Sequence, residues 1–267
     1  MSHTTIAMKV TLITVCRNVA PVIRETLDSI LAQTHVDIEL IVIDGASTDG
    51  TVEILEGYRS SPAERGITTL VSEPDKGIYD AMNKGLALAT GEIIGFVNAG
   101  DLLMTPNVIA QVVSAFQRGL PAEGMAHVDA VYGDIIMVDE RDIYKVHRTW
   151  ISGTYHRENF RRGWMPPHVG TFIRKSVYDR FGHFNTDLRI GADYEILLRF
   201  LYKHQVRTVH MREVLVRFRL GGMSNGSVRH ILNANREVRA SWGLNGLQAP
   251  PLLVTRKLWS KVMQFFH

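Results

Sequence analysis

Three apolar runs in the first half of the chain each lead into an acidic motif. Asp44 follows the first run, Asp75 lies shortly after the second, and Asp101 follows the third. The runs are Ile38–Ile43, Ile67–Val71 and Ile93–Val97. In an open α/β sheet, ligands bind in the crevice outside the carboxyl ends of the strands, so these carboxylates are expected to share one edge. The pattern predicts an enzyme that uses a metal-bound nucleotide donor.

Asp101 is the predicted metal ligand, because hard cations such as Mg²⁺ and Mn²⁺ bind carboxylate oxygens together with phosphates. Asn98 precedes it in the same motif and is expected to contact a ribose or a metal-bound water. Gly100 would let the backbone approach a diphosphate closely. Taken alone, the segment Asn98–Asp101 is also typical of a plain turn.

The other two acidic motifs are suited to reading a nucleotide. A carboxylate at Asp44 can accept the imide N–H of uracil or thymine, or the N1–H and amino group of guanine. Asp75 is expected to read the base in a similar way, and Lys76 to contact phosphate. A helix that begins near Gly77 would add a favourable dipole for anions. The alternative for Asp44 is an Asx turn or a helix cap.

The elements that would position these residues alternate regularly in the first half, which predicts a mostly parallel sheet with right-handed crossovers. Apolar residues at helical spacing separate the strand-like runs. Besides the three runs above, Val10–Val15 is a predicted strand. The predicted helices start at Pro21, Thr51, Gly77 and Pro106, and the one from Thr51 extends to Ser60.

The second half is less regular. Its predicted strands are Ala130–Val138, Gly170–Ile173 and the region Val206–Leu220, and its predicted helices are Ala192–His204 and Ser227–Trp242. The stretch Arg141–Gly163 is polar, basic and aromatic, which indicates a mobile loop or an insert. Specificity is expected to lie in the irregular stretch from Arg141 to Met165.

The tail Val254–Phe266 has the pattern of a basic amphipathic helix. Trp259 and Phe266 share its apolar face, and Arg256 and Lys257 lie on the polar face, as in helices that lie in a membrane interface. The alternative is a terminal helix packed on its own core or on a second subunit.

Charge is divided unevenly along the chain. Residues 1–140 contain 8 Lys and Arg against 19 Asp and Glu, whereas residues 141–267 contain 22 against 8. Such asymmetry predicts an anionic partner for the second half, unless the two halves simply face each other. Nucleic-acid binding by the basic half does not explain the acidic motifs, and the sequence contains no signature of a recognised nucleic-acid-binding module.

The single cysteine, Cys16, rules out an internal disulfide and fits a reducing cytoplasm. A free cysteine at the end of a strand is expected to be a small buried hydrophobic residue. The start of the chain has no secretory signal pattern. No apolar stretch approaches the roughly 18 residues of a membrane-spanning helix.

Five motifs, in this order and spacing, resemble the family 2 glycosyltransferases over roughly residues 8–225. The motifs are Thr14–Asn18, Ile43–Thr51, Asp75–Gly85, Ala89–Glu92 and Asn98–Asp101. The resemblance implies a GT-A fold, a Rossmann-like α/β sheet flanked by helices, together with an inverting reaction that uses Mn²⁺ or Mg²⁺. The family's Asp-x-Asp metal motif is represented here by Asn98 to Asp101. Its first carboxylate is missing, so metal binding would depend on Asp101 and the diphosphate.

The resemblance also implies roles for individual residues. Asp193 matches the catalytic base at the start of a later helix, where the helix dipole would keep it ionised, and Glu195 is the second choice. His168 and Arg219 are implied contacts to the acceptor or to phosphate. The implied donor contacts are Thr14, Cys16, Asn18, Asp44, Ser47, Asp75, Lys76, Asn83 and Asn98.

The resulting prediction is an inverting transferase that moves a sugar from a nucleotide diphosphate to a saccharide acceptor. The predicted acceptor is carried on a polyprenyl-diphosphate lipid in a bacterial polysaccharide or O-antigen pathway. The enzyme would work at the cytoplasmic face of a membrane, and the sequence leaves open whether it forms an oligomer. Residues 1–105 would bind the donor, 106–225 the acceptor, and 226–267 would form a helical tail. The rivals are a nucleotidyltransferase, which would usually have a glycine-rich loop after the first strand, and a non-catalytic nucleotide- or carbohydrate-binding module.

Overall fold

The computed structural model describes residues 8–59, 65–118, 127–221, 228–251 and 253. Its strands are β1 Val10–Cys16, β2 Ile38–Asp44, β3 Thr69–Ser72, β4 Ile93–Phe96, β5 Leu102–Leu103, β6 Ala130–Val138, β7 Val146–Trp150, β8 Thr171–Arg174 and β9 Thr208–Arg219. Its α-helices are α1 Ile23–Leu31, α2 Thr51–Glu56, α3 Ile78–Leu88, α4 Val108–Arg118, α5 Lys175–Phe181, α6 Ala192–Leu197 and α7 Val228–Leu244. Helix α6 continues as a π-helical segment over Leu198–Lys203.

The first four strands form the predicted parallel part of the sheet, in the order β3-β2-β1-β4. The apolar runs of β1, β2 and β4 are buried on both faces, as expected for parallel strands covered by helices, whereas β3 at the end of the order is only half-buried. In the register, Cys16 pairs with Asp44 and Asp44 pairs with Ser72. The acidic motifs after these strands therefore meet at one edge, called here the carboxyl-end edge.

The other half makes the sheet a mixed one. Strand β8 lies antiparallel between β4 and β6, and β6 and β9 run parallel to each other. Two successive antiparallel pairings give β6 the same direction as β4. The ends of β6 at Val138 and of β9 at Arg219 consequently lie at the carboxyl-end edge as well, beside the residues that follow β4.

Helices cover both faces of the sheet and enclose two apolar cores. Helices α1 and α4 bury residues such as Leu27 and Phe116 on one face. Helices α3, α5, α6 and α7 bury residues such as Met82, Tyr178 and Trp242 on the other. The predicted α/β class is confirmed. Among the described residues, no helix is long and apolar enough to cross a membrane.

The stretch Arg141–Gly163 is more ordered than the sequence predicts. It contains β7, which pairs antiparallel with β6, and a 3₁₀ helix over Arg157–Arg162. Trp164 donates a hydrogen bond from Nε1 to the Ser152 carbonyl at 2.7 Å, and Phe160 is fully buried. Of the two predicted alternatives, a mobile loop or an insert, the structure agrees with an insert, which pairs with β6 and is anchored by the buried Phe160.

Two further boundaries differ from the sequence predictions. Helix α2 ends at Glu56 rather than Ser60, and the short strand β5 had no sequence signal. Helix α7 forms where predicted and packs against the core through the fully buried Trp242. The predicted amphipathic tail Val254–Phe266 lies outside the described residues.

Candidate active site

Asp44 is fully buried at the end of β2 and is surrounded by donors. Its carboxylate accepts hydrogen bonds from the Ser47 amide at 2.9 Å, from the Ser47 hydroxyl, and from the Ser72 hydroxyl at 2.7 Å. The Cys16 thiol lies 3.6 Å from the same carboxylate. Burial and the Asp44 charge raise the pKa of the Cys16 thiol well above its usual range, so it stays neutral and is a poor nucleophile.

The loop after β1 is fastened to the loop after β2. Asn18 adopts the left-handed region with φ 51°. Its amide donates to the Ser47 hydroxyl at 2.7 Å, and its Oδ1 accepts from the Thr48 amide at 2.9 Å. Asp49 accepts from the Ala20 amide at 3.0 Å. The structure thus brings the predicted donor residues of these two loops together as one hydrogen-bonded wall.

Asp75 and Lys76 precede α3 on the next loop along the edge. Asp75 Oδ1 accepts from the Gly77 amide at 2.8 Å, and the Lys76 amide donates to Asp80 at 3.1 Å. The Asp75 carboxylate occupies the space that a Cβ on Gly45 would need. Glycine at position 45 is therefore what lets Asp75 approach the motif that follows Asp44.

Asp101 is buried just after β4, with 4% of its surface exposed. Loss of hydration raises its pKa to about 8, although a hydrogen bond from the Arg219 amide at 3.2 Å and the Arg219 charge oppose the rise. Gly100 takes φ 99°, which only glycine adopts readily, and sets the turn that presents the carboxylate.

Two further polar atoms at this edge accept or donate no hydrogen bond within the described ranges. They are Asn98 Oδ1 and Thr14 Oγ1, and both are buried. Buried polar groups in native proteins are nearly always paired, so unpaired ones commonly mark a missing water, ion or ligand. The structure leaves these two atoms and the Asp101 carboxylate short of partners at the end of β1 and β4.

Arg219 braces the edge rather than pointing into solvent. Its side chain donates to the Gly100 carbonyl at 3.1 Å and to the Glu140 carbonyl at 2.8 Å, and it pairs with Glu25. Together with its amide bond to Asp101, this ties the end of β9 to α1 and to the turn that follows β6. Its implied contact to phosphate stays a prediction.

Oxygen donors are the chemistry that Mg²⁺ and Mn²⁺ prefer, and Asp101 with Asn98 Oδ1 fits that preference. No group of three or more His, Cys, Asp or Glu in the part of the chain that the structure describes could hold a metal ion by itself. A divalent ion held here would therefore need oxygens from a bound diphosphate to complete its ligands.

Asp193 lies in the first turn of α6, partly exposed, and its Oδ1 accepts from the Tyr194 amide at 2.7 Å. The nearby His168 ring packs against Phe96 and Phe184, with ring centroids 5.2 and 5.4 Å away. Burial lowers the pKa of His168, and the charge of Asp193 partly opposes this. The imidazole is consequently neutral beside an acidic group. Phe96 lies two residues before Asn98 in the chain. The part of the site around His168 is therefore directly connected to the part around Asp101.

Two predicted residues have their side chains engaged in holding the fold. Asn83 Nδ2 donates to the Phe184 carbonyl and its Oδ1 accepts from the Phe184 amide, both at 2.9 Å. Glu195 is buried and pairs with Arg199 at 2.9 Å, and it also accepts from Asn245 at 2.9 Å. Their implied ligand contacts stay predictions.

Sequence reasoning missed Tyr79, which joins α3 to the loop that precedes Asp193. Its hydroxyl donates to the Ile190 carbonyl at 2.6 Å. Burial, then the Asp193 charge, raise the pKa of the Tyr79 hydroxyl well above its usual range. Its place on the buried face of α3, in helical spacing with Met82 and Leu86, was the available signal.

Comparison with known proteins agrees with this geometry. A family model described as Glycosyl transferase family 2 matches residues 11–181. A PGL/p-HBAD biosynthesis glycosyltransferase of Mycobacterium bovis (strain BCG / Pasteur 1173P2) is 33% identical over 211 residues, which cover 78% of this chain and 76% of the relative. An uncharacterized glycosyltransferase of Mycobacterium tuberculosis (strain CDC 1551 / Oshkosh) is 32% identical over 204 residues, covering 73% of this chain and 70% of the relative.

Solved structures share the fold at lower identity. TarS 1-349 of S. aureus in complex with UDP-GlcNAc has a TM-score of 0.66 at 18% identity, covering 93% of this chain and 69% of that one. The mannosyltransferase PcManGT from Pyrobaculum calidifontis, in complex with GDP-Man and Mn2+, has a TM-score of 0.64 at 23% identity, covering 96% and 70%.

Proposed function

Because the chain belongs to glycosyl transferase family 2 and is a glycosyltransferase of GT-A fold, we propose that it transfers a sugar from a nucleoside diphosphate to a saccharide hydroxyl with inversion. The observation that carries this proposal is that buried polar groups with few or no protein partners lie near the ends of neighbouring strands at the carboxyl-end edge. Within the described residues, Asp101 accepts one hydrogen bond and Asn98 Oδ1 accepts none, and both follow β4. Thr14 Oγ1, near the end of β1, has no partner there either. A nucleoside diphosphate with its cation has the right chemistry to supply partners to Asp101 and Asn98.

Asp193 is the proposed general base. Its carboxylate takes the proton of the acceptor hydroxyl while the hydroxyl oxygen forms a bond to the anomeric carbon. The bond from that carbon to the diphosphate oxygen breaks in the same step, and the electron pair leaves with the nucleotide. Attack from the face opposite the leaving group inverts the anomeric centre. A base within reach of the hydroxyl commonly contributes about 10²–10⁴ to the rate.

The donor end holds the leaving group. Asp75 is half-buried where a base could be read, and Lys76 is exposed beside it for phosphate. The buried Asp44 would act through the loop it holds by its bonds to Ser47. Asp101 and Asn98 would hold Mn²⁺ or Mg²⁺ together with the diphosphate. When bound, such an ion supplies Lewis-acid stabilisation of the departing diphosphate. Solved structures of the fold with UDP-GlcNAc and with GDP-Man and Mn2+ support a donor of this class.

The acceptor is proposed to be a saccharide on an anionic, lipid-linked carrier at the cytoplasmic face of a membrane. The support is the basic charge of residues 141–267 and the amphipathic pattern of the tail. Within the domain, residues 1–105 would bind the donor and 106–225 the acceptor. Membrane association of residues 226–267 is part of the same proposal.

Thermal unfolding with UDP, GDP, dTDP and CMP, each with and without Mn²⁺, tests the donor site. A ligand that binds only the folded state raises its stability by RT ln(1 + [L]/Kd), about 2.7 kcal/mol at 100 Kd. We expect one nucleotide to raise the Tm in a metal-dependent way. The Asp101→Ala variant should lose the rise, and Asp179→Asn, an exposed aspartate on α5, should keep it. No rise with any nucleotide at millimolar concentration would refute the proposal.

A further inference from the structure

A carboxylate on the C-terminal helix α7 holds the loop that leads into the catalytic helix. Glu237 accepts hydrogen bonds from three successive backbone amides, those of Arg189 at 3.3 Å, Ile190 at 2.9 Å and Gly191 at 2.8 Å. Three donors converging on one carboxylate form a small anion-binding cradle, and hydrogen bonds to an ionised acceptor are stronger than neutral ones. The cradle ends two residues before Asp193.

The same loop is held from its other side by the donor half of the site. Tyr79 on α3 donates to the Ile190 carbonyl at 2.6 Å, so the amide and the carbonyl of Ile190 have partners on α7 and α3 respectively. Two additional bonds connect the end of α7 to α6. Trp242 Nε1 donates to the Tyr194 hydroxyl at 3.0 Å, and Asn245 donates to Glu195 at 2.9 Å. The start of α6 is consequently fixed between α3 and α7.

Close packing at Gly191 supports the same conclusion. A Cβ placed on Gly191 would lie 3.1 Å from Glu237 Cβ and 3.4 Å from its Oε2. The first of these contacts is tighter than an ordinary van der Waals distance, so a side chain at position 191 would require Glu237 to move by a few tenths of an ångström. Glycine therefore lets α7 approach the loop closely enough for Glu237 to reach all three amides.

We propose that Glu237 is a positioning residue of the reaction, which fixes the loop at residues 189–191 and thereby aims the Asp193 carboxylate at the acceptor hydroxyl. This rests on the proposed function, in which Asp193 is the base. It also gives α7 a part in catalysis, although this helix lies beyond residues 11–181 that match the family model. A displacement of about 1 Å at a reacting group can cost about 100-fold in rate.

The test compares Glu237→Ala and Glu237→Gln with Glu213→Gln, an exposed glutamate on β9, as the matched control. Turnover is measured with the nucleotide sugar whose nucleotide raises the Tm. We expect kcat to fall about 10- to 100-fold in Glu237→Ala and less in Glu237→Gln, which keeps one acceptor oxygen. The donor KM should change less than about 2-fold, because the donor wall is not touched. Glu213→Gln should match the wild type.

Hydrogen exchange provides a readout that does not depend on turnover. Backbone amides of residues 189–191 should exchange faster in Glu237→Gln, while amides of β1 and β4 keep their protection. If Glu237→Ala fails to fold, Glu237→Gln with this exchange measurement still decides. Unchanged exchange at 189–191, or an unchanged kcat in folded variants, would overturn the proposal.

Asp193→Asn separates this inference from the proposed function. An inactive Asp193→Asn with fully active Glu237 variants would refute the positioning role alone. A fully active Asp193→Asn would instead refute the base assignment on which the inference depends.

Discussion

Glu39 and Asp101 are buried carboxylates at opposite edges of one sheet, and their surroundings differ sharply. Glu39 accepts from the Thr11 hydroxyl at 2.5 Å, the Thr90 amide at 2.8 Å, the Thr90 hydroxyl at 2.6 Å and Lys9 at 3.1 Å. Burial would raise its pKa, but these donors lower it to about 2. Asp101 has one protein hydrogen bond, at 3.2 Å within the described ranges, and burial raises its pKa to about 8.

The comparison shows how structural and functional carboxylates can be told apart on physical grounds. A buried polar group whose partners are all supplied by the chain stabilises the fold. A polar group that is buried with few partners destabilises the ligand-free protein, and a bound ligand can supply the partners that it lacks. The Ala89–Glu92 motif illustrates the first case. The amide and hydroxyl of Thr90 donate to Glu39, and the Gly91 amide donates to the Thr11 hydroxyl at 2.9 Å. These contacts lie at the edge of the sheet opposite Asp101. This motif therefore supports the sheet rather than the chemistry.

The largest expected effect comes from removing the charge at the poorly paired carboxylate. Asp101→Asn should lower turnover by about 10²–10³, since a lost electrostatic contact to developing charge costs this much in other enzymes. Its free energy of unfolding should stay within about 1 kcal/mol of wild type, because the isosteric amide is easier to bury. Steady-state kinetics and urea unfolding check both parts. A large loss of stability would show that Asp101, like Glu39, stabilises the fold.

Glu39→Gln should behave in the opposite way. The NH₂ group of a glutamine would face the hydrogen-bond donors of Thr11 and Thr90 instead of accepting from them. Lys9 would also lose its ion-pair partner. We expect a loss of about 1–3 kcal/mol in the free energy of unfolding, as for buried groups left unpaired. Turnover at 25 °C should stay within about 2-fold of wild type. A strongly reduced kcat in a well-folded variant would contradict the assignment of Glu39 to stability.

The pH dependence of stability sharpens the same contrast. The folded pKa of Glu39 is about 2 against an ordinary value of 4.5, so its contribution is complete above pH 4.5 and is lost as the pH falls toward 2. The unfolded chain binds more protons in that window, and stability therefore rises with pH there. Urea unfolding at pH 3, 4 and 5.5 should show the gap between wild type and Glu39→Gln widening with pH. A constant gap would be incompatible with the lowered pKa.

The smallest expected effect is at Thr14, whose buried hydroxyl has no partner within the described residues. Thr14→Val removes that unpaired group while keeping its shape. Stability should stay the same or rise by up to about 1 kcal/mol. Affinity for the nucleotide identified by thermal shift should fall several-fold if a donor supplies the missing partner. Calorimetric titration measures this, and unchanged affinity would mean that the hydroxyl serves only the strand.

The parallel half of the sheet could be predicted because its signals are local. Each strand is a short apolar run, and each motif begins where a run ends, so the shared edge followed from the direction of the strands. Asp44, Asp101 and Asp193 were found in this way or through the resemblance. Strand β7 could not be predicted, because its residues are half-buried or exposed and carry no apolar pattern, and its position is set by pairing with β6.

Residues that position the site were also beyond reach of sequence patterns. Glu237 has the spacing and charge of an ordinary surface residue on a helix, and only its three bonds to a loop 46 to 48 residues away reveal its role. Asn83 similarly meets Phe184 across 101 residues. Such contacts depend on the packing of distant elements, and no local property of the sequence encodes them.

The brace formed by Arg219 has a consequence for how the protein is made. Its contacts to Gly100 and Glu25 span 119 and 194 residues, and β9 pairs with β5 beside Asp101. A growing chain therefore cannot enclose Asp101 until residue 219 has emerged from the ribosome. During most of its synthesis this carboxyl group is in water and ionised, and a chain truncated before Thr208 should titrate there like a free aspartate. The raised pKa of Asp101 is thus acquired last, when Arg219 and β9 close over the turn at Gly100.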